Sequence, residues 1–399
     1  MGLTGVRLTD FRGYASLDVA LPGRLTVLQG ENAQGKTSFL RAIELLGLGE
    51  SPVAPESLVR HGALMALVEG TAMAGSPGGD AAGLSGAAGL SGAARLAVAV
   101  EDGRLKLRAG GKPVTRTRWV GRLPVLFVGP EDREQVAGPP SARRDLLDEL
   151  LEQCERPYLA ALREYRQALR QRNRALENPE STDGEIEIWE EPMARAGGVI
   201  VASRARATTA LAPMATAWHR ELAGGRREAR RELGVSYLCG LGADAPGGAR
   251  GAEAALREAF AAGRERERVA GATLTGPHRD DVEISCDGHP LKSTGSSGEI
   301  WTAIIALAFA SAELMGSALG ALPVLLLDDC AASLDEGRRE RLFSMLAGLP
   351  QAILTTTAVT APGPGRAVFE VRQHSFSGEG GTTCASNGLE KAYGRLARL

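Results

Sequence analysis

The stretch VLQGENAQGKTSFLRAIELLGLG, residues 27–49, decides how the rest of this chain is read. An apolar run ends at a glycine, a polar turn follows, and from Lys36 onward the apolar residues recur at helical spacing. Gly30, Glu31, Asn32, Ala33, Gln34, Gly35, Lys36 and Thr37 match the spacing of a phosphate loop in full. Glycines let backbone N–H groups curl around phosphate oxygens, and the start of the helix adds its positive dipole end. In such a loop Lys36 reaches the β- and γ-phosphates and the Thr37 hydroxyl ligates Mg2+. The chain is therefore expected to bind a nucleotide here.

A second motif answers the first. PVLLLDD, residues 323–329, is an apolar run closed by two aspartates, as in a fully buried parallel strand. Ligands of such sheets bind at the carboxyl ends of the strands. Asp328 is expected to hold Mg2+ and Asp329 to orient or deprotonate the attacking water, which with Lys36 gives the catalytic pair. The alternative is two solvated aspartates after a core strand. Between these motifs, Thr294, Gly295, Ser296, Ser297, Gly298 and Glu299 open a long apolar helix. Small residues there offer N–H groups to a phosphate, or form a simple helix cap. The turn GPHRDD, residues 276–281, reads as a loop with a cation or phosphate contact, and His278 lacks the spaced partners of a metal site.

The bulk numbers are those of an ordinary globular chain of 399 residues, 44% hydrophobic and 24% charged. A net charge of −2 excludes a uniformly basic nucleic-acid binder, so any such surface is a local patch. The five cysteines, Cys154, Cys239, Cys286, Cys330 and Cys384, show no paired spacing. Neither a zinc site nor a disulfide framework is expected, and a reducing cytoplasm is the natural compartment. The N-terminus lacks the apolar core of a signal peptide. The nearest approach to a membrane span, WTAIIALAFASAELMG, is short and carries Glu313, so no membrane is expected.

Strand and helix signals alternate through the first part of the chain. GVRLTDFRGY, ASLDVALPGRLTVLQG, ALMALVEGTAMAG and ARLAVAVEDGRLKLRAGGKPV read as strands, the last turning at EDG. SPGGDAAGLSGAAGLSGAA, with GLSGAA repeated, reads as a flexible surface insertion near residues 75–94. Charged helices follow over residues 141–178, with Ser141 as N-cap and Leu159, Leu162, Leu169 and Leu176 forming a stripe. A second helical region over residues 185–225 is expected to return antiparallel as a hairpin or short arm, or to pack as a compact helical subdomain. GLGADAPGGARGAEAA, residues 240–255, reads as a loop. DDVEISCDGHPLK and QAILTTT read as strands, and the tail SFSGEGGTTCASNGLEKAYGRLARL stays unplaced. These signals give an ATPase head in two parts, residues 1–128 and 271–399, around a helical segment at 129–270.

GENAQGKTS, PHRDD, LLLDDCAASLD and QAILTTT, with ARRDLLD and YRQALRQRN between them, together resemble the RecF family of ABC-type/SMC-like ATPases. The resemblance covers nearly the whole chain apart from the GLSGAA insertion and the tail. It implies an α/β fold, an ABC-type P-loop ATPase head with an inserted helical subdomain or short arm. It also implies ATP and Mg2+ as ligands, an ATP-dependent homodimer, slow and DNA-dependent hydrolysis, and binding of single-stranded, gapped or duplex DNA. Gap repair with RecO and RecR as partners, DNA replication, the SOS response and a cytoplasmic location belong to the same expectation. Carried over by residue, Ser296, Ser297 and Gly298 form the signature turn that faces the other subunit's γ-phosphate. Ser333, Leu334 and Asp335 form the D-loop and Arg12 lies near the nucleotide; the Q-loop glutamine stays unassigned, with Gln135 as its candidate. Thr355, Thr356 and Thr357 stand where many ABC ATPases have a switch histidine. The signature departs from the family's usual Ser-Gln-Gly-Gln type: Glu299 adds a carboxylate that repels a γ-phosphate unless it points away.

The arginines of GRREARREL and LRQRN are candidate phosphate contacts, the alternative being a solvated helix face. Two other functions share the motifs so far: an ATP-binding scaffold derived from the same family with impaired turnover, and a transporter-type ABC ATPase subunit. The duplicated LSGAA within the insertion mimics an ABC signature, but no amphipathic helix follows it.

Overall fold

The computed structural model describes residues 2–21, 24–73, 93–224, 231–241, 247–358 and 366–378. The GLSGAA repeat, Cys384, residues 225–230 of GRREARREL and the tail beyond Gly378 lie outside these. The chain divides into two compact units, Met1–Pro130 with Ala312–Leu399, and Glu131–Ser311.

The first unit begins with β1 (Gly2–Phe11), β2 (Tyr14–Ala20), β3 (Leu25–Gln29), α1 (Lys36–Leu48), β4 (Met65–Met73), β5 (Ala93–Glu101), β6 (Arg104–Ala109), β7 (Lys112–Pro113), the single turn α2 (Arg116–Trp119) and β8 (Val125–Val128). An antiparallel sheet runs in the order β2-β1-β4-β5-β6-β7. Its β5–β6 hairpin turns on Asp102 and Gly103, both at positive φ, the conformation a two-residue hairpin loop demands.

The second unit holds the single turn α3 (Glu134–Ala137), α4 (Pro140–Cys154), α5 (Arg156–Glu177), α6 (Asp183–Ala223), β9 (Leu233–Leu238), α7 (Gly248–Ala270), β10 (Asp281–Cys286), β11 (His289–Pro290), the single turn α8 (Leu291–Thr294) and the first part of α9 (Ser297–Leu319). Charge pairs fix the helix directions. Along α5 and α6, Arg172 meets Glu190, Glu164 meets Arg195 and Glu155 meets Arg206, so the two run antiparallel. Along α6 and α7, Arg268 meets Asp183, Arg264 meets Glu187 and Arg257 meets Glu191, so α7 runs antiparallel to α6 as well. Arg172 is fully buried, hydrogen-bonded to Glu190 and Thr273, with Glu267 Oε2 2.6 Å from its Nη1. Glu190 is also held by Arg264, so removing Arg172 would leave the buried Glu267 without its cationic partner, at a cost of about 3–5 kcal/mol.

The chain then completes the first unit with β12 (Val324–Asp328), α10 (Glu336–Ala347), β13 (Ala352–Thr356), β14 (Arg366–Arg372) and β15 (Ser375–Gly378). Its second sheet runs β15-β14-β3-β13-β12-β8, parallel throughout except for the edge strand β15. Because β3, β13 and β12 are neighbours, the residues that follow them emerge side by side at one edge of the sheet.

Several local expectations are corrected. Ser141 is not an N-cap: α4 starts at Pro140, with Pro139 at the cap position and no side-chain cap. A first-turn proline forgoes only an N–H that the helix leaves unpaired anyway. The helical run breaks at Glu155, which has extended backbone between α4 and α5. Residues 248–255 form the start of α7, not a loop; Ala252, Leu256 and Phe260 repeat every fourth position on its buried face. The apolar run at 301–316 belongs to a 23-residue helix, α9, long and apolar enough by length and composition to cross a membrane. Its Ile300, Ala303, Ile305, Leu307, Phe309 and Met315 are buried within the protein, and Phe309 stacks at 5.0 Å on Trp218.

Candidate functional site

Residues 30–37 form a loop between β3 and α1 whose backbone only glycine tolerates at key points. Gly30 has φ 153° and Gly35 φ 107°; a Cβ on Gly30 would stand 2.4 Å from the Val371 carbonyl oxygen. Ala33 is also left-handed, at φ 62°. Lys36 is buried, and its Nζ donates to the carbonyl oxygens of Gly30 and Glu31, each at 2.7 Å. The ammonium thus crosses the mouth of the loop. Burial lowers the Lys36 pKa, against the opposing pull of Asp329 and Asp328.

Thr37 and Asp328 come together as their motifs require. Thr37 Oγ1 donates to Asp328 Oδ2 at 2.8 Å, and Thr355 Oγ1 donates to Asp328 Oδ1 at 2.6 Å. Thr355 also accepts from the Asp329 amide at 2.9 Å. One buried threonine therefore sets both aspartates, at the end of the strand between theirs and that of the phosphate loop. Asp329 adopts a left-handed backbone, φ 52°, and its Oδ1 is buried with no hydrogen-bond partner. Burial raises the Asp329 carboxyl above the usual range; Asp328 adds to this and Lys36 opposes it. A hydroxyl, a carboxylate and an orphaned carboxylate oxygen form a hard oxygen set suited to Mg2+.

The loop is braced from the far end of the chain, which sequence reasoning did not find. The β14–β15 turn places Gln373 and His374 in left-handed conformations. Their amides donate to Gln34 Oε1 at 2.7 Å and to the Gln34 carbonyl at 3.0 Å. The His374 ring stands edge-on to Tyr14 at 5.0 Å and within van der Waals reach of Gly13 and Gly35. Tyr14 in turn donates its hydroxyl to the Gly35 carbonyl at 2.9 Å. Asn32 and Glu31 are exposed on the outer side of the loop. Arg12 is half-buried and electrostatically coupled to Arg41 and Glu44 of α1, with burial lowering its pKa. The D-loop residues Ser333 and Asp335 are exposed and Leu334 is buried; Asp335 caps α10 by accepting from the Arg338 amide at 2.9 Å.

In the second unit, Ser296 and Ser297 are exposed where α9 begins. Glu299 Oε2 accepts from the Ser296 amide at 2.9 Å and from its hydroxyl at 2.8 Å, and the Ser296 hydroxyl accepts from the Glu299 amide. This is a capping box, readable in the sequence as Ser-x-x-Glu. Arg231 forms an ion pair with the same carboxylate. The Ser296 amide, then Arg231, pull the Glu299 pKa down to about 2. Glu299 is thus turned back onto its own helix start and neutralised. Arg133 donates to the Ser297 hydroxyl at 3.1 Å, and the Gln135 amide donates to Asp132.

The GPHRDD turn is mostly internal structure. Asp281 takes Arg143 in a bidentate pair, and Asp280 accepts from Tyr237 and the Gly240 amide. His278 Nδ1 meets the Tyr165 hydroxyl at 2.7 Å and Nε2 meets the Thr273 carbonyl at 3.1 Å, an arrangement that a neutral ring protonated on Nε2 satisfies at both nitrogens. Burial drives its pKa down to about 4.

No protein-family model matches the chain. Over 365 residues it is 33% identical to the DNA replication and repair protein RecF of Gloeobacter violaceus, covering 90% of this chain and 92% of that one. The structure of the recombination mediator protein RecF with ATP, of the RecFOR pathway, superposes with a TM-score of 0.83 at 22% identity, over 95% of this chain and 97% of that one. An Smc head domain from Pyrococcus furiosus matches at a TM-score of 0.51 and 15% identity, over 99% and 98%. The fold is accordingly that of the RecF and SMC-type ATPase heads. With one residue in three shared across nine-tenths of both sequences, the chain belongs to the RecF family of DNA replication and repair proteins.

Proposed function

We propose that this chain is an ATP-dependent DNA-binding protein of recombinational and replication-gap repair, whose copies pair when ATP binds and separate after slow, DNA-dependent hydrolysis. The observation that carries this reading is the meeting of Thr37, Asp328 and Thr355 beside the phosphate loop. The site residues keep their roles from the motif. Gly30 to Thr37 cradle the phosphates, Lys36 supplies positive charge to them, and Thr37 and Asp328 hold Mg2+. The ion would screen phosphate charge when bound. Asp329, its Oδ1 unpartnered, is the base or orienting group for water.

Exposed Ser296, Ser297 and Asp335 support a role for both signature turn and D-loop at a pairing surface. A helix start offered to a second subunit's nucleotide makes the γ-phosphate the link between subunits, and its loss the release. The capping box removes the main argument for a scaffold with broken turnover, because Glu299 is bound to Ser296 and Arg231. Membership of the RecF family and the RecFOR structure support a cytoplasmic setting with RecO and RecR as partners, single-stranded, gapped or duplex DNA as ligand, and a place in the SOS response.

Sedimentation with gapped DNA, with and without ATP, tests the reading against Lys36→Ala. ATP is expected to produce a dimer on DNA for the native chain and not for the variant. ATP binding with neither dimer nor DNA complex would return the scaffold reading.

A further inference from the structure

We propose that the outer face of α5 is the surface that grips the DNA phosphate backbone; this rests on the DNA-binding reading above. Arg156, Arg163, Arg170 and Arg174 are all exposed, as are Ala160 and Gln167 between them. The positions 156, 160, 163, 167, 170 and 174 advance by alternate fours and threes, so they lie in one stripe along the helix. The opposite face carries the buried Leu159, Leu162, Tyr165, Ala168 and Leu176.

What separates these arginines from others of this unit is their lack of partners. Arg143, Arg172, Arg195, Arg204, Arg206, Arg257, Arg264 and Arg268 each pair with a carboxylate. Among the described residues, no ion pair engages Arg156, Arg163, Arg170 or Arg174. Arg166, at the stripe's border, is tied to Asp148 and Glu152. Carboxylates flank the face without entering it: Glu164 is turned to Arg195 and Glu155 to Arg206, while Glu177 and Glu180 stand exposed at the C-terminal end.

A solvated helix normally mixes both signs along its outer face, because each oppositely charged pair adds stability and each like-charged pair subtracts it. Arg170 and Arg174, four apart, repel each other and have no carboxylate between them. A polyanion relieves that repulsion. From Arg156 to Arg174 the stripe is ~27 Å long at 1.5 Å per residue, enough to meet several phosphates spaced ~3.4 Å along each strand of a duplex. Arginine's planar fork suits phosphate oxygens, and the contact reads backbone, not sequence. With a net charge of −2 on the whole chain, this stripe supplies the local patch that binding a nucleic acid requires.

The test is the salt dependence of DNA affinity in the ATP state, for the native chain and for the quadruple variant Arg156→Gln, Arg163→Gln, Arg170→Gln, Arg174→Gln. Glutamine keeps helix propensity, and the substitutions break no ion pair, so the urea midpoint and ATP affinity serve as controls for folding. Each lost phosphate contact lowers the log–log salt slope by about 0.9, so the variant is expected to be shallower by about 2–4 and at least tenfold weaker in moderate salt. The corresponding Arg→Lys quadruple variant restores most of the slope. A quadruple glutamine variant that keeps the native slope and affinity overturns the proposal, including the case in which the face serves an acidic protein partner. If the native chain itself fails to bind DNA, the functional reading fails instead.

Discussion

The brace on the phosphate loop can be broken at side chains alone, leaving in place the backbone N–H groups that would cradle phosphate. Two contacts are accessible to substitution: Tyr14 Oη to the Gly35 carbonyl, and the Gln373 amide to Gln34 Oε1. Tyr14→Phe removes the first from a buried setting, but the Gly35 carbonyl still accepts from the Phe39 amide at 3.0 Å, so nothing is orphaned. The loss is then that of an ordinary hydrogen bond, about 1 kcal/mol. Gln34→Ala removes the second, which is exposed; water replaces the acceptor, and the cost is about 0.5–1 kcal/mol. If the brace holds the loop in the form that receives phosphate, these costs appear in ATP affinity. The double variant should bind ATP about 10–30-fold more weakly, at about 1.4 kcal/mol per factor of ten. Equilibrium titration with a fluorescent ATP analogue measures this, and urea unfolding measures global stability in parallel. A double variant that binds ATP as the native chain does, while its urea midpoint falls, refutes the positioning role and leaves the hairpin a purely structural edge.

Two further outcomes follow from the perturbed groups. Asp329→Asn should keep ATP binding and lose hydrolysis by about 10²–10⁴-fold in single-turnover assays, and unchanged hydrolysis would remove Asp329 from the role of base or water-orienting group. His278 is held neutral with its pKa lowered from 6.5 to about 4, so the unfolded chain binds its proton first, and the stability it contributes is complete above pH 6.5 and lost as pH falls toward 4. That shift corresponds to about 3 kcal/mol, and chemical denaturation across this range should show a steeper loss in the native chain than in His278→Gln; parallel curves would mean the ring titrates freely.

The phosphate loop, β12 and the β5–β6 hairpin were legible because each is written in consecutive residues whose backbone demands are local. The brace was not: Gln373 and Gln34 are 339 positions apart, and neither the strand RAVFEVR nor the turn after it carries a signal that points to the loop. Thr355 was seen only as the residue in place of a histidine. Its bond to Asp328 depends on β13 lying beside β12, a pairing that parallel strands set by tertiary order and not by sequence spacing.

Other features were legible and weighed differently. Ser296 and Glu299 spell a capping box, yet the glutamate was judged by its place in a family signature, where a carboxylate repels phosphate. The local hydrogen bond decides, because it forms within one turn of helix and needs no partner from elsewhere. LRQRN makes the same point on α5. Arg170 and Arg172 stand roughly 200° apart around a helix of 3.6 residues per turn, so they cannot share a surface. Arg172 follows Leu169 by three and precedes Leu176 by four, which puts it on the apolar stripe and makes it the buried partner of Glu190. Arg170 follows Arg163 by seven and joins the outer row. A basic run on a helix is therefore two populations, one structural and one free to meet phosphate, and its hydrophobic period is what sorts them.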